Sequence, residues 1–355
     1  MISYDIIEHG EPLQKVLRRT PEPGPGEILM RITHSGVCHS DVHIWDGYFD
    51  LGADKRSYVK DRGCVPPFTL GHEPLGIVQK VGEGVNDVSA GHTYLVYPWI
   101  GCGRCAVCES GQENFCVTAP QFIGAFRSGA YASHLLVPDA KYLVDVSGID
   151  EGFAATLACS GLTAYSASAK LPALSTRDYV AVVGCGGLGL VCISILRAKG
   201  VRNIVACDID DAKLAAAREQ GAAFTVNTRK SDAGENLASI VDGALAGAID
   251  FVGTPETAQF AMNGLRKGGR VVVVGLYGGE LRLPLPPFAQ RAVGLVGSYV
   301  GTLEELRELV DLAKSGKLTP LPVNLRPSDE VSHILAELKA GTVVGRVVMR
   351  MADSE

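Results

Sequence analysis

A strand-like run, Tyr179–Val183, feeds into Gly184-Cys185-Gly186-Gly187-Leu188-Gly189, and a helix-like run from Leu188 to Lys199 follows. A second strand-like run ends at Asp208, nineteen residues beyond Gly189. A glycine triplet alone says little. Strand, turn, helix, strand and acidic residue in this order point to a βαβ unit that binds a dinucleotide, against the competing reading of a glycine turn that merely packs a helix on a sheet. Gly184 permits the tight turn, and Gly186 lets the backbone approach a pyrophosphate. Gly187 and Leu188 open the helix, whose amino-terminal dipole favours anions. Gly189 allows close packing of helix on strand. Asp208 would accept hydrogen bonds from both hydroxyls of an adenosine ribose. Its charge repels a 2′-phosphate, and Ile209 and Asp210 follow it rather than an arginine. The expected cofactor is therefore NAD, not NADP.

From about residue 161 to 298, near-continuous apolar strands alternate with helical patterns such as Asp211 to Gln220. The strands are Val180–Val183, Ile204–Cys207, Ala248–Val252 and Arg270–Val274. This alternation implies an α/β unit, a doubly wound Rossmann sheet of parallel strands covered on both faces. The first 160 residues differ. Short runs such as Glu27–Ile32, Leu75–Val78 and Tyr94–Tyr97 are punctuated by glycine and proline, which predicts a β-rich domain. From 299 onward, helices at Leu303–Ser315 and Asp329–Leu338 and a final strand Arg346–Arg350 are expected.

Cys102, Cys105, Cys108 and Cys116 form a C-x2-C-x2-C-x7-C run. Four thiolates at this spacing can close a tetrahedral shell around one zinc ion, with no position left for a substrate. Disulfides are the competing reading, and they belong to oxidising compartments. The amino terminus, MISYDIIEHG, lacks a cationic, apolar leader, and no apolar run approaches the length of a membrane span. A cytoplasmic protein with reduced cysteines is expected. A net charge of −6 offers no basic face, so nucleic acid is not an expected partner.

Three further motifs carry chemistry: Gly36-Val37-Cys38-His39-Ser40-Asp41-Val42-His43, Gly71-His72-Glu73, and Ala158-Cys159-Ser160-Gly161. Each has a bland reading alone, since buried cysteines usually pack as small hydrophobes. Together with the four-cysteine run, the glycine turn and the domain order, they closely resemble the zinc-dependent alcohol dehydrogenases of the medium-chain dehydrogenase/reductase superfamily, over essentially the whole length.

The resemblance implies a GroES-like catalytic domain built from 1–160 and 299–355, with the NAD-binding Rossmann domain over 161–298. It implies two zinc ions per subunit. One is catalytic, on Cys38, His72 and Cys159, and one is structural, on the four-cysteine run. Glu73 then stands behind the catalytic metal, and Asp41 orients the His72 imidazole. Ser40 takes the alcohol proton and His43 releases it to water. His39 and Arg346 approach the cofactor phosphates, Thr163 the nicotinamide, and Lys213 the adenosine ribose. For Lys213 and Arg346 a solvated helix face or a surface strand competes. The activity implied is reversible oxidation of a primary or secondary alcohol, with medium-chain, cyclic or aromatic alcohols as candidates, to an aldehyde or ketone with hydride transfer to NAD. A homotetramer is implied, with a homodimer as the alternative, and Gly294–Gly297 is its expected edge strand. A reductase working mainly towards the alcohol, a polyol dehydrogenase and a non-catalytic dinucleotide-binding relative are the competing classes.

One segment departs from the commoner pattern. The connection from His43 to His72 is long and contains Trp45 and Tyr48. With Trp99, these are the aromatic residues expected to shape a substrate pocket larger than an ethanol site, against the competing readings of a subunit interface or an inert surface excursion.

Overall fold

The computed structural model describes residues 1–352. Six parallel strands form one sheet in the spatial order Phe224–Asn227, Ile204–Asp208, Tyr179–Val183, Leu245–Asp250, Arg270–Val273 and Gly294–Gly297. Numbered along the chain, that order is 3-2-1-4-5-6, the doubly wound arrangement. Its central strands read Val-Ala-Val-Val and Ile-Val-Ala-Cys because both faces are buried. The strand order reverses between Tyr179–Val183 and Leu245–Asp250, so a crevice opens at their carboxyl ends, where the glycine turn lies. Gly294–Gly297 stands at the sheet edge.

A second sheet of seven strands is mainly antiparallel. Its path runs through Leu143–Asp145, Thr93–Val96, Pro74–Val81, Ile28–Gly36, Arg346–Arg350 and Val323–Pro327, and His134–Val137 also pairs with Ile28–Gly36. The last strands of the chain thus join the sheet of its first half. Val348 pairs with Gly36, which brings the strand Arg346–Arg350 beside the Cys38 motif. Among the described residues no helix is long and apolar enough to cross a membrane.

The long 44–71 connection contains its own small unit. Tyr48–Gly52 and Lys55–Tyr58 pair as a hairpin, and a 3-10 turn follows at Val59–Arg62. The hairpin rests on the other half of the molecule: a Cβ on Gly52 would lie 2.9 Å from the carbonyl carbon of Gly279, and Lys55 Nζ stands 4.0 Å from Glu280.

Candidate active site

Cys38 caps the helix His39–Asp46 with an extended backbone, φ −116° and ψ 155°. Asp41, in the first turn, is fully buried. Its Oδ2 accepts the Cys38 backbone N–H at 3.0 Å and the Tyr131 hydroxyl at 2.8 Å. Its Oδ1 lies 3.0 Å from His72 Nδ1. One carboxylate therefore fixes the helix start and the imidazole together, and a buried carboxylate with so many partners holds its geometry tightly. His72 Nε2 is left buried with no hydrogen-bond partner among the described residues.

Cys159 reaches the same place from a π-helical turn, Leu157–Gly161, between the helices Glu151–Thr156 and Leu162–Ala169. Such turns widen the helix and re-aim side chains, and they recur at functional sites. The sulfurs of Cys38 and Cys159 are 3.9 Å apart. Donor atoms of Cys38, His72, Glu73 and Cys159 all lie within 4.8 Å of one another, and all four residues are buried. Two thiolates on one tetrahedral zinc, each about 2.3 Å from it, stand about 3.8 Å apart. The donor set and its orphaned imidazole nitrogen therefore fit zinc. The Cys159 hydrogen bond and the adjacent imidazole hold the Cys38 thiol well below its ordinary pKa. Burial disfavours charge on His72, but Asp41 outweighs it and raises the imidazole well above its ordinary value.

Glu73 is wedged behind this cluster, where a Cβ on Gly36 would lie 1.8 Å from its Oε2. Its Oε1 accepts a hydrogen bond from the Arg346 guanidinium, and both side chains are buried. Burial pushes the Glu73 carboxyl up to about 7, against the pull of Arg346. Arg346 is thus no surface-strand residue: pairing of Arg346–Arg350 with Ile28–Gly36 carries it inside. Its stem also reaches the glycine turn, since a Cβ on Gly187 would lie 2.1 Å from its Cδ.

The turn itself has Gly184 at φ +88°, a left-handed conformation that favours glycine. A Cβ on Gly189 would meet the Gly184 carbonyl oxygen at 2.0 Å, whereas a Cβ on Gly186 would meet nothing within 4 Å. The turn is closed towards the strand and open on the other side, as a diphosphate requires. Asp208 accepts the Cys185 N–H at 2.6 Å and the Asp210 N–H at 3.0 Å. It therefore braces the turn as well as ending its strand. The hydroxyls of Thr163 and Ser298 are buried without partners among the described residues, which fits a bound polar group beside them. Lys213 Nζ donates to the Gly341 carbonyl at 3.1 Å.

His39, His43, Asp46, Tyr48, Asp50, Tyr277 and Lys339, with Val42, line a cavity of about 270 Å³ between the first helix, the hairpin and the cofactor sheet's loop. Ser40 lies in the first turn of that helix. The His43 ring is 5.0 Å from Phe49 and 6.2 Å from His39. Burial, reinforced by His39, lowers the His43 pKa.

The three aromatic pocket candidates separate. Trp99 stands 5.4 Å from the His72 ring, beside the thiols. Trp45 has other partners: its indole N–H donates to the Glu11 carbonyl at 2.6 Å and Lys339 Nζ lies over its ring. It packs the helix against the amino-terminal segment, and Lys339 separates its ring from the His43 cavity that Lys339 lines. Tyr48 faces the His43 cavity and carries the Arg56 guanidinium 3.9 Å from its ring centre. Tyr299 and Phe122, which sequence reasoning did not single out, pack against Trp99 at centroid distances of 6.0 and 5.7 Å. Both come from irregular segments with no motif, so no sequence signal joined them to the site.

Apart from this cluster, the sulfurs of Cys102, Cys105, Cys108 and Cys116 also gather within 4.8 Å. Hydrogen bonds from Cys108 lower Cys105 to about 6, which favours the thiolate a metal needs.

Known proteins share these features. The family model described as alcohol dehydrogenase GroES-like domain matches residues 24–148, and that described as zinc-binding dehydrogenase matches 187–315. An NAD-dependent alcohol dehydrogenase of Sulfurisphaera tokodaii is 33% identical over 98% of this chain and 99% of its own. An alcohol dehydrogenase of Geobacillus stearothermophilus is 32% identical over 98% of each. Among solved structures, the alcohol dehydrogenase of Aeropyrum pernix superposes with a TM-score of 0.89 at 30% identity, covering 99% of this chain and 100% of its own. The acetophenone reductase of Geotrichum candidum, solved with NAD, gives a TM-score of 0.83 at 27% identity over 98% of this chain and 96% of its own. With a doubly wound sheet, a GroES-like half and full-length identity above 30%, the chain belongs to the zinc-dependent, NAD-linked alcohol dehydrogenases.

Proposed function

We propose that Cys38, His72 and Cys159 hold a catalytic zinc, that the four-cysteine cluster holds a structural one, and that the chain oxidises cyclic or aromatic alcohols reversibly with NAD. The observation that carries this reading is the buried thiol–imidazole set, joined through Glu73 and Arg346 to the open glycine turn. A zinc ion in that set supplies the Lewis acid that makes the alcohol hydroxyl acidic. Asp41 fixes the imidazole through Nδ1, which leaves the unpartnered Nε2 to hold a metal. Ser40 accepts the hydroxyl proton, and His43 passes it to water. A bound nicotinamide would accept the hydride from the carbinol carbon, and Thr163 would pack against it. Gly184, Gly186, Gly187, Leu188 and Gly189 would hold the diphosphate with His39 and Arg346. Asp208 and Lys213 would hold the adenosine ribose.

The wall of Trp99, Phe122 and Tyr299 supports a bulky substrate. The likeness to an acetophenone reductase supports the same class and its ketone products. The edge position of Gly294–Gly297 supports pairing of cofactor sheets between subunits, in a tetramer or dimer. We assign 161–298 to the cofactor domain and the rest to the catalytic domain, and place the protein in the cytoplasm.

A panel of ethanol, cyclohexanol, benzyl alcohol and 1-phenylethanol, read by NADH absorbance, tests the function. Turnover should favour the cyclic and aromatic members, fail with NADP, and stop after EDTA treatment. A fully zinc-loaded protein that reduces NAD with none of them would refute the reading.

His43→Gln should lower alcohol oxidation near pH 7 by about a hundredfold. The neutral ring accepts the proton, and burial keeps the His43 pKa below its ordinary 6.5. Wild-type kcat should therefore rise as pH climbs through that depressed value, and the variant should lack that limb. A variant with the same rising limb would remove His43 from the proton path.

A further inference from the structure

The aromatic wall depends on a strained backbone segment. Val300 has φ +39°, in the left-handed region that a β-branched residue avoids. Strain of this kind persists only where surrounding groups over-determine it, and it gathers at functional sites. Two side chains clamp this segment from either side of Val300. Asn114 Nδ2 donates to the Tyr299 carbonyl at 3.3 Å, and the Tyr97 hydroxyl donates to the Gly301 carbonyl at 2.8 Å.

Both clamps belong to the four-cysteine lobe or its root. Asn114 is 2% exposed and lies between Cys108 and Cys116. Its neighbour Glu113 accepts the Gly101 N–H at 2.9 Å and the Tyr142 hydroxyl at 2.7 Å. Tyr97 stacks on Tyr142, with ring centres 6.2 Å apart and planes 14° apart. On the far side, the Tyr299 ring sits edge-on to Trp99 at 6.0 Å, and Trp99 touches the His72 ring at 5.4 Å. A continuous chain of contacts therefore runs from the cysteine lobe to the wall beside the thiol–imidazole set.

We infer that Asn114 and Tyr97 are positioning residues for substrate selection: through the backbone of Tyr299–Gly301, the cysteine lobe sets where the Tyr299 ring stands and so how wide the pocket is. This rests on the proposed alcohol dehydrogenase reading of the same site. Release of either clamp lets Val300 relax towards negative φ, which swings the Tyr299 carbonyl and ring together. The lobe then has a part in specificity besides any stabilising one.

The test compares kcat/KM for 1-phenylethanol and ethanol in the wild type, Asn114→Ala, Tyr97→Phe and, as a reference for wall damage, Trp99→Ala. Each clamp variant should shift the ratio of the two constants by about tenfold, in the range that pocket reshaping gives. A merely structural role lowers the active fraction, scales both alcohols alike and leaves the ratio in place. Tyr97→Phe removes one hydroxyl outside the cysteine run, so it decides the question if Asn114→Ala fails to fold or loses zinc. Ratios within twofold of wild type in the folded clamp variants, while Trp99→Ala shifts its own, overturn the inference. A wild-type enzyme that oxidises neither alcohol overturns the functional reading first, and this inference with it.

Discussion

Cys159→Ala should retain one zinc per chain and lose alcohol oxidation by about a thousandfold or more. The substitution removes one sulfur from a buried set whose other donors are Cys38 and His72. Two protein ligands hold zinc far less firmly than three, and this ion supplies several kcal/mol of transition-state charge stabilisation, at about 1.4 kcal/mol per factor of ten. Folding should survive, because alanine fits the volume that cysteine fills and the π turn is closed by backbone bonds. The four-cysteine cluster has its own donors and its own elements, so its metal stays. Metal analysis of the purified variant, followed by NADH formation from the best alcohol of the panel, checks both halves of the expectation. A variant with one zinc and more than a tenth of wild-type kcat/KM would remove Cys159 from the site.

The fold and the site were legible in the sequence to different depths. The glycine turn, its strands and Asp208 could be read locally, because a βαβ unit writes its turn, helix and strand within about thirty residues. The four-cysteine cluster was legible for the same reason. Cys38, His72 and Cys159 were joined by resemblance alone, since their union depends on strand pairings between distant segments and on a π turn with no sequence code. The length of the 44–71 connection was legible, but not the hairpin Tyr48–Gly52/Lys55–Tyr58 within it. Its strands are four and five residues long and carry Asp50, Lys55 and Arg56, so no apolar alternation announces them. Spacing within one helix separates Trp45 from His43, because residues two positions apart face apart: His43 lines the cavity and the Trp45 indole bonds to Glu11. Tyr299 could be found only with Val300's dihedral and the Asn114 bond in hand.

Arg346→Met should destabilise the folded protein by about 3–5 kcal/mol at alkaline pH, the cost of leaving one member of a buried ion pair alone. Methionine keeps most of the apolar stem that lies against Gly187, so packing loss is small. What disappears is the guanidinium on Glu73, a carboxyl already pushed up to about 7 by burial. The sign of the pH dependence follows from that direction. A carboxyl whose folded pKa lies above its unfolded value of about 4.3 binds its proton more tightly when folded, so stability falls as pH rises through that window. In the wild type the window closes near 7. Without Arg346 it extends upward, so the deficit should be small near pH 5 and widen above 7. Urea unfolding of wild type and variant at pH 5, 7 and 9 measures it. Adding Glu73→Gln removes the unpaired charge and should recover more than half of the loss at pH 9. A deficit that is equal at all three pH values, or that the second substitution leaves unchanged, would mean that Arg346 stabilises the fold by packing rather than by holding the Glu73 charge beside the metal site.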